Sequence, residues 1–175
     1  MKGVEVPYRS PTQRLLDDPK IAMHPFFADM EPARIREILN HSQLFHFKAG
    51  EFLFHEGAPA DRLFLLLTGS VSLETRADGG HQVRVCTAKE NEVVGWSWLF
   101  PPFAWHFQAQ ALEPTDAVVC DGGHLLVMCE DDPVFGYEFM KRIVHLVIQR
   151  LQATRKQLIS IEGILNPPVA SPVIH

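Results

Sequence analysis

Residues 47–73, FKAGEFLFHEGAPADRLFLLLTGSVSL, carry the pattern that decides the fold. Apolar and polar side chains alternate on both sides of Ala49-Gly50, which is typical of two short strands joined as a hairpin. Residues 62–67 form a nearly uninterrupted apolar run, and a run of that length between turn residues predicts a buried strand. Gly69 then predicts a turn or bulge before the next strand.

The strand pattern continues beyond this stretch. Residues 71–75 and 82–88 flank an Asp78-Gly79-Gly80 turn and predict a hairpin, while residues 107–112 and 116–120 predict two further strands. About eight short strands with regularly spaced turns are typical of a mainly β protein, folded as an eight-stranded antiparallel β-roll or jelly roll.

Helical patterns flank the predicted roll. An N-terminal helix is predicted within residues 21–40, a short helix at residues 122–132, and a long helix that begins at Pro133 and ends at Gly163. The sequence therefore divides into an irregular N-terminal arm, a helix plus β-roll, a long C-terminal helix and an irregular tail, at residues 1–20, 21–132, 133–162 and 163–175.

The long helix carries an apolar stripe whose steps alternate between four and three residues, as in the seam of a coiled coil. A wider apolar face near its start, with Phe139, Ile143 and Leu146, is expected to pack on the roll. We expect the stripe to pair with a second copy of the chain in a homodimer; the alternative is that it packs entirely within one chain. The predicted dimer residues are Met140, Val144, Val147, Leu151, Thr154 and Leu158.

Composition excludes several classes of function. A net charge of -5 and a pI near 6.0 argue against non-specific nucleic-acid binding. No apolar run is long enough to span a membrane and no signal peptide is recognisable, so a cytoplasmic protein is expected. The cysteines form no zinc-binding spacing, and we expect buried thiols, with a redox switch as the alternative. No catalytic motif, metal site or cofactor motif is found, so we expect a protein that is not an enzyme.

Residues 47–73 resemble the first half of the sensor domain of the Crp/Fnr superfamily. That pattern combines P/K-x-G-E, an apolar pair, E-G-x-x-x-D, an apolar strand and x-x-G-x-V. Residues 111–133 resemble the last strands of the domain and the short helix after them. The resemblance covers about residues 25–161. It implies the cyclic-nucleotide-binding-domain fold, a cupin-like roll with a dimer helix, and makes residues 21–132 the sensor domain. The matching residues are Gly50, Glu51, Glu56, Gly57, Asp61, Gly69 and Val71.

Residues 93–111, VVGWSWLFPPFAWHFQAQA, occupy the place of this family's phosphate-binding cassette. In cAMP-binding relatives a glycine and backbone amides cradle the phosphate, an arginine neutralises it and a glutamate holds the ribose. Gly95 matches the glycine, but Trp96 stands at the glutamate and Trp105 at or next to the arginine. A buried anion without a cation costs several kcal/mol. The resemblance therefore predicts the fold but not ordinary binding of cAMP or cGMP.

Three roles are open for this aromatic cassette. The tryptophans fill the former pocket, or they line an altered pocket in which they stack on a flat apolar or aromatic ligand, or they bind a protein partner. In the altered pocket Ser97, His106 and Gln108 would supply polar contacts. The predicted ligand-binding residues are Gly95, Trp96, Ser97, Trp98, Leu99, Trp105, His106 and Gln108.

Together these features predict a non-catalytic regulatory or sensor module. Because GILNPPVASPVIH follows the long helix, we expect no helix-turn-helix output domain and no direct DNA binding; a small-molecule effector and a regulated protein partner would take their place. The alternative is a non-sensing protein-interaction subunit whose pocket is filled by its own tryptophans.

Overall fold

The computed structural model of the chain describes residues 11–77 and 79–165. Within them, eight strands lie between N-terminal and C-terminal helices. The helices are α1 (Pro11–Leu16), α2 (Pro19–Ala22), α3 (Pro32–Asn40), α4 (Gly122–Asp131) and α5 (Pro133–Leu165). The strands are β1 (Ser42–Phe47), β2 (Phe52–Phe54), β3 (Arg62–Leu66), β4 (Ser70–Arg76), β5 (Gln82–Lys89), β6 (Val93–Val94), β7 (Gln108–Ala111) and β8 (Thr115–Asp121).

The strands form two four-stranded sheets. Their orders are β1-β8-β3-β6 and β2-β7-β4-β5, and every pairing is antiparallel. The prediction of a mainly β, eight-stranded antiparallel roll with flanking helices is confirmed.

The turn at Ala49-Gly50 does not close a hairpin, so that part of the sequence prediction is wrong. β1 pairs with β8 and β2 pairs with β7, and the chain therefore passes from one sheet to the other at this turn. Alternation of apolar and polar residues identifies a strand locally but does not specify its partner. The hairpin predicted around Gly79-Gly80 is confirmed, because β4 pairs with β5.

Strand β3 separates two apolar cores, which explains its uninterrupted apolar run. Leu63, Leu65 and the following Leu67 face a core shared with the helices, whereas Phe64 and Leu66 face the interior of the roll. Successive side chains of a strand point to opposite faces, so both faces must be apolar when both are covered. The strand is predicted correctly because its two environments are alike in polarity.

The N-terminal segment is more ordered than the predicted irregular arm. Residues 11–22 form α1 and α2, and the carboxylate of Asp18 accepts a hydrogen bond from the Lys20 N–H at 2.9 Å at the start of α2. Leu15 and Ile21 are buried in the helical core, which gives these short helices a reason to form. Residues 1–10 of the predicted arm lie outside the described part of the chain.

Helix α5 begins at Pro133, as predicted, and continues through Gly163 to Leu165, two residues beyond the predicted end. Asp132 caps it, because its carboxylate accepts hydrogen bonds from the N–H groups of Val134 and Phe135. Nothing described ends the helix at Gly163, since one glycine is tolerated in a long helix at a cost of about 1 kcal/mol. Most of the predicted tail, residues 166–175, lies outside the described residues.

The apolar face near the start of α5 packs inward as expected. Phe139 and Ile143 are buried in the helical core and Leu146 packs against it. No helix in the described part of the chain combines the length and the apolarity needed to cross a membrane.

The three thiols lie in environments that disfavour the thiolate. Burial raises the pKa of Cys120 to about 12 and that of Cys129 to about 11, and it also raises the pKa of Cys86. A protonated thiol is a poor nucleophile, so these residues have the character of structural cysteines; Cys120 is buried as expected, whereas Cys86 and Cys129 are half-buried.

His24 is a buried titratable group in the helical part of the fold. Its ring is 1% exposed, and Nδ1 accepts a hydrogen bond from the Phe26 N–H at 3.2 Å. Burial lowers the pKa of His24 from 6.5 to about 4, although the neighbouring backbone of Leu66 opposes part of this shift. The folded protein therefore holds a neutral imidazole well below the pH at which the unfolded chain takes up a proton.

This shift predicts a loss of stability in acid. Stability from neutral His24 is complete above pH 6.5 and falls as the pH drops toward 4, by about 2 to 3 kcal/mol at pH 4.5. In His24→Asn an amide oxygen replaces the accepting nitrogen. Urea denaturation at pH 7 and at pH 4.5 should show that the unfolding free energy of this variant falls between the two pH values by about 2 to 3 kcal/mol less than that of the wild type. The exposed His81→Asn is the control. Equal pH dependence in wild type and His24→Asn would contradict the prediction.

Candidate functional site

A pocket of about 430 Å³ lies between the roll, the aromatic cassette and the long helix. Strands β2 and β4 contribute Phe54 and Leu73, and α5 contributes Val147 and Arg150. The cassette contributes the remaining wall residues: Gly95, Trp96, Ser97, Phe100, Trp105, His106 and Phe107.

Gly95 allows the cassette to approach the roll closely. Its φ is +90°, and a Cβ built there would lie 2.9 Å from the carbonyl oxygen of Arg62 and 3.2 Å from the Trp105 ring. A side chain at this position would be strained and would also collide with backbone. The glycine thus allows the following residues, beginning with Trp96, to line the pocket.

Trp105 forms an apolar wall of the pocket. Its ring is 4% exposed and stacks on Phe54, with ring centroids 4.0 Å apart and an interplanar angle of 18°. The backbone holds the residue in place, since its N–H donates to the Ala58 carbonyl at 2.9 Å and its carbonyl accepts from the Gly57 N–H at 2.8 Å. An indole therefore occupies a place where the sequence resemblance expects a cation.

Trp98 points away from the pocket and into the helical core. It is 5% exposed, and its ring centroid lies 6.3 Å from that of Phe139 on α5. It packs directly on the backbone of α4, because a Cβ on Gly122 would lie 2.7 Å from the Trp98 ring. The indole Nε1 is buried and makes no hydrogen bond within the described part of the protein. The expectation that Trp98 would line a ligand pocket is therefore not met by the geometry.

The polar groups of the pocket come from two sides. On the cassette, the Ser97 hydroxyl and His106 Nδ1 are 3.2 Å apart. On α5, the guanidinium carbon of Arg150 lies 5.1 Å from the centre of the Trp96 ring, a cation–π arrangement. Arg150 thus supplies a positive charge to a wall that is otherwise mostly apolar.

Comparison with models of protein families identifies the family of this chain. The cyclic nucleotide-binding domain model matches residues 44–132, which are 89 of the 175 residues. The chain belongs to the cyclic nucleotide-binding domain family. The pocket of this domain is bounded by matched residues on the roll and the cassette, and by α5, which follows the matched region.

Individual relatives agree with this assignment. A CRP-like cAMP-activated global transcriptional regulator of Mycobacterium tuberculosis is 26% identical over 141 residues, covering 81% of this chain and 61% of the regulator. The chain thus spans about three fifths of that curated relative.

Two solved structures share the fold. A Geobacter metallireducens protein, provisionally described as cyclic nucleotide-binding, is 27% identical with a TM-score of 0.67, over 82% of this chain and 99% of its own. A cyclic nucleotide-binding domain from Methylobacillus flagellatus has a TM-score of 0.68 at 20% identity, over 85% and 79% of the two chains.

The structure brings five of the eight predicted ligand-binding residues to the pocket wall of this cyclic nucleotide-binding domain: Gly95, Trp96, Ser97, Trp105 and His106. Trp98 is in the helical core and Leu99 packs against the same core. Gln108 lies on β7, where its amide donates to the Glu74 carboxylate at 3.2 Å. A loop has no periodicity from which the direction of each side chain could be predicted.

Arg150 is the polar wall residue that the sequence interpretation missed. The charges of the long helix suggest a solvated face, but the Arg150 side chain is only 21% exposed. The spacing along the helix could have predicted this burial, because Arg150 continues the inward stripe. The stripe runs in steps of four, three and four through Phe139, Ile143, Leu146 and Arg150. Phe54, Leu73, Phe100 and Phe107 also line the pocket and were not predicted as site residues.

The predicted dimer stripe is adjacent to this pocket. Val147 belongs to both, since it lines the pocket and is 41% exposed in a single chain. Val144, Leu151 and Leu158 are also exposed, at 50%, 67% and 60%, whereas Met140 and Thr154 are half-buried. Four large apolar side chains of the stripe are therefore uncovered by the described part of one chain.

The described residues offer no metal centre. Within residues 11–77 and 79–165, histidine, cysteine and acidic side chains form no group of three or more that could hold a metal ion.

Proposed function

We propose that this chain is a non-catalytic regulatory module that senses a flat, largely aromatic small molecule. The observation that carries this proposal is the pocket beside the cassette, which has about 430 Å³ of space and five aromatic wall residues. Pockets of this size and apolar character are typical of small-molecule sites. The aromatic side chains are Phe54, Trp96, Phe100, Trp105 and Phe107.

The same wall argues against the usual mode of cyclic-nucleotide binding. Trp96 offers no acceptor for a ribose hydroxyl, and the buried ring of Trp105 is stacked on Phe54. At the usual cassette position, against the Trp105 face, a cyclic phosphate would lose its hydration without gaining a cation or charge-assisted hydrogen bonds from the cassette, because the cation of this pocket, Arg150, lies on α5 over Trp96. We therefore propose that cAMP and cGMP are not bound through this cassette.

The alternative of a pocket filled by its own tryptophans is disfavoured by where the rings lie. Trp98 fills space in the helical core, and Trp105 packs against one wall. Neither occupies the space between the cassette and α5. This arrangement does not support a non-sensing interaction subunit whose pocket is filled by its own tryptophans.

Homodimerisation through α5 is part of the proposal. The exposed stripe residues form the alternating pattern of a coiled-coil seam, and exposed apolar side chains in such a pattern favour pairing with a second helix. Because Val147 belongs to both the stripe and the pocket wall, an effector would lie close to the dimer contact. A regulated protein partner would then respond to changes in α5.

Binding of simple aromatic probes tests the proposed pocket. In titration calorimetry, 2-naphthoate or 2-naphthamide should bind wild type with a dissociation constant below about 100 µM. Phe100→Ala should weaken that binding by about threefold to tenfold, since an aromatic contact contributes about 0.5–1.5 kcal/mol. Phe100 is 51% exposed, so the change should leave the fold intact.

Phe103→Ala is the matched control, because Phe103 is 50% exposed in the same loop and does not line the pocket. Its probe affinity should stay within about twofold of wild type. Failure of both probes to bind would contradict the sensor proposal. Micromolar binding of cAMP or cGMP would contradict the proposed loss of ordinary nucleotide recognition.

A further inference from the structure

We infer that the effector is an aromatic monoanion, such as an aromatic carboxylate, whose negative group pairs with Arg150. This inference rests on the proposed function, since it specifies the ligand of the same pocket. Among the described residues that line the pocket, Arg150 is the one fixed cation, His106 is the one other titratable group, and none is acidic.

The existing contacts of Arg150 leave its guanidinium able to form a stronger pair. Nη2 lies 3.5 Å from the Val93 carbonyl oxygen and 3.9 Å from the Glu92 carboxylate, which is half exposed. Both distances exceed the 2.7–2.9 Å of a good charge-assisted hydrogen bond. Arg150 also contacts the Cys86 thiol, which supplies no counter-charge because burial raises its pKa.

The position of Arg150 also orients a ligand. The guanidinium lies over Trp96 at the α5 side, while Trp105 and Phe54 stack on each other in the roll. A ligand with one apolar and one anionic end can place its rings against the roll and its charge against the helix. A guanidinium donates two parallel N–H bonds to the oxygens of a carboxylate, so it selects an acid over the amide of the same shape.

The charge of the ligand can be tested with an isosteric pair of probes, 2-naphthoate and 2-naphthamide, in titration calorimetry on the full chain. Wild type should bind the carboxylate at least about tenfold more tightly than the amide, and added salt should weaken only the carboxylate. Arg150→Gln should bring the two affinities within about twofold of each other by loss of carboxylate affinity alone. Arg155→Gln, an exposed arginine of the same helix, is the control and should keep the preference.

The outcomes separate this inference from the proposed function. Equal binding of the two probes to wild type, or a carboxylate preference that persists in Arg150→Gln, would overturn the inference while leaving an aromatic pocket. Binding of neither probe would overturn both. Thermal unfolding checks that Arg150→Gln is folded; if it is not, Arg150→Lys, which should keep a reduced preference, and the salt dependence of wild type decide the result.

Discussion

Trp98→Ala is expected to lower the free energy of unfolding by about 3 to 5 kcal/mol, the usual cost of removing a buried aromatic side chain. Trp98 is 5% exposed and lies against the backbone of Gly122 and the ring of Phe139. Its removal would leave a cavity where the roll meets α4 and α5. Both neighbours belong to helices that pack in the same closely packed core, so little compensating collapse is expected.

Urea denaturation at a fixed protein concentration measures this loss. Trp96→Ala is the matched control, since Trp96 is only half-buried, and it should cost about 1 to 2 kcal/mol. In probe binding we expect the opposite order, with the larger loss in Trp96→Ala. Trp98→Ala should keep the wild-type affinity for 2-naphthamide, while Trp96→Ala should lose part of it. A larger stability loss in Trp96→Ala than in Trp98→Ala would show that the two roles are wrongly assigned.

Leu151→Glu is expected to convert the proposed homodimer to monomers. Leu151 is 67% exposed in one chain and lies at the centre of the apolar stripe. A glutamate in a closed seam would leave an unpaired carboxylate in each chain, a cost of about 3 kcal/mol or more, which raises the dimer dissociation constant more than about 100-fold. Leu151 is preferable to Val147 for this test because Val147 also lines the pocket.

Light scattering coupled to gel filtration measures the change in mass. Wild type should give twice the chain mass of 19.8 kDa, and Leu151→Glu should give 19.8 kDa. The exposed neighbour Gln152→Glu adds the same charge outside the stripe and should remain dimeric. A monomeric wild type, or a dimeric Leu151→Glu, would remove the seam from the proposal.

The correct strand predictions came from patterns that are local. β3 and the β4–β5 hairpin are recognisable because an apolar run or a turn glycine acts on adjacent residues. The Ala49-Gly50 turn has equally good local signals, yet β1 and β2 find partners 55 or more positions away in sequence. Pairing over that distance is decided by which surfaces the sheets bury together, and alternation does not encode it.

The same limit of local patterns applies to the direction of side chains in the cassette. Its composition was enough to argue that Trp96 and Trp105 replace two charges, because that conclusion concerns residue types at matched positions. It was not enough to separate Trp98, which packs on Gly122 and Phe139, from the residues that face the pocket. Both partners of Trp98 lie on helices that follow the roll in sequence.

By itself, the sequence determined that this chain is a β-roll with a long helix and an aromatic, nearly uncharged cassette. These properties depend on composition and on local periodicity, both of which act between neighbouring residues. Only the tertiary structure showed that residues of the cassette line one cavity together with Arg150, the cation that α5 contributes. The physical reason is that a pocket wall is assembled from segments distant in sequence. The packing of α5 against the roll determines which charged side chains of α5 are shielded from water.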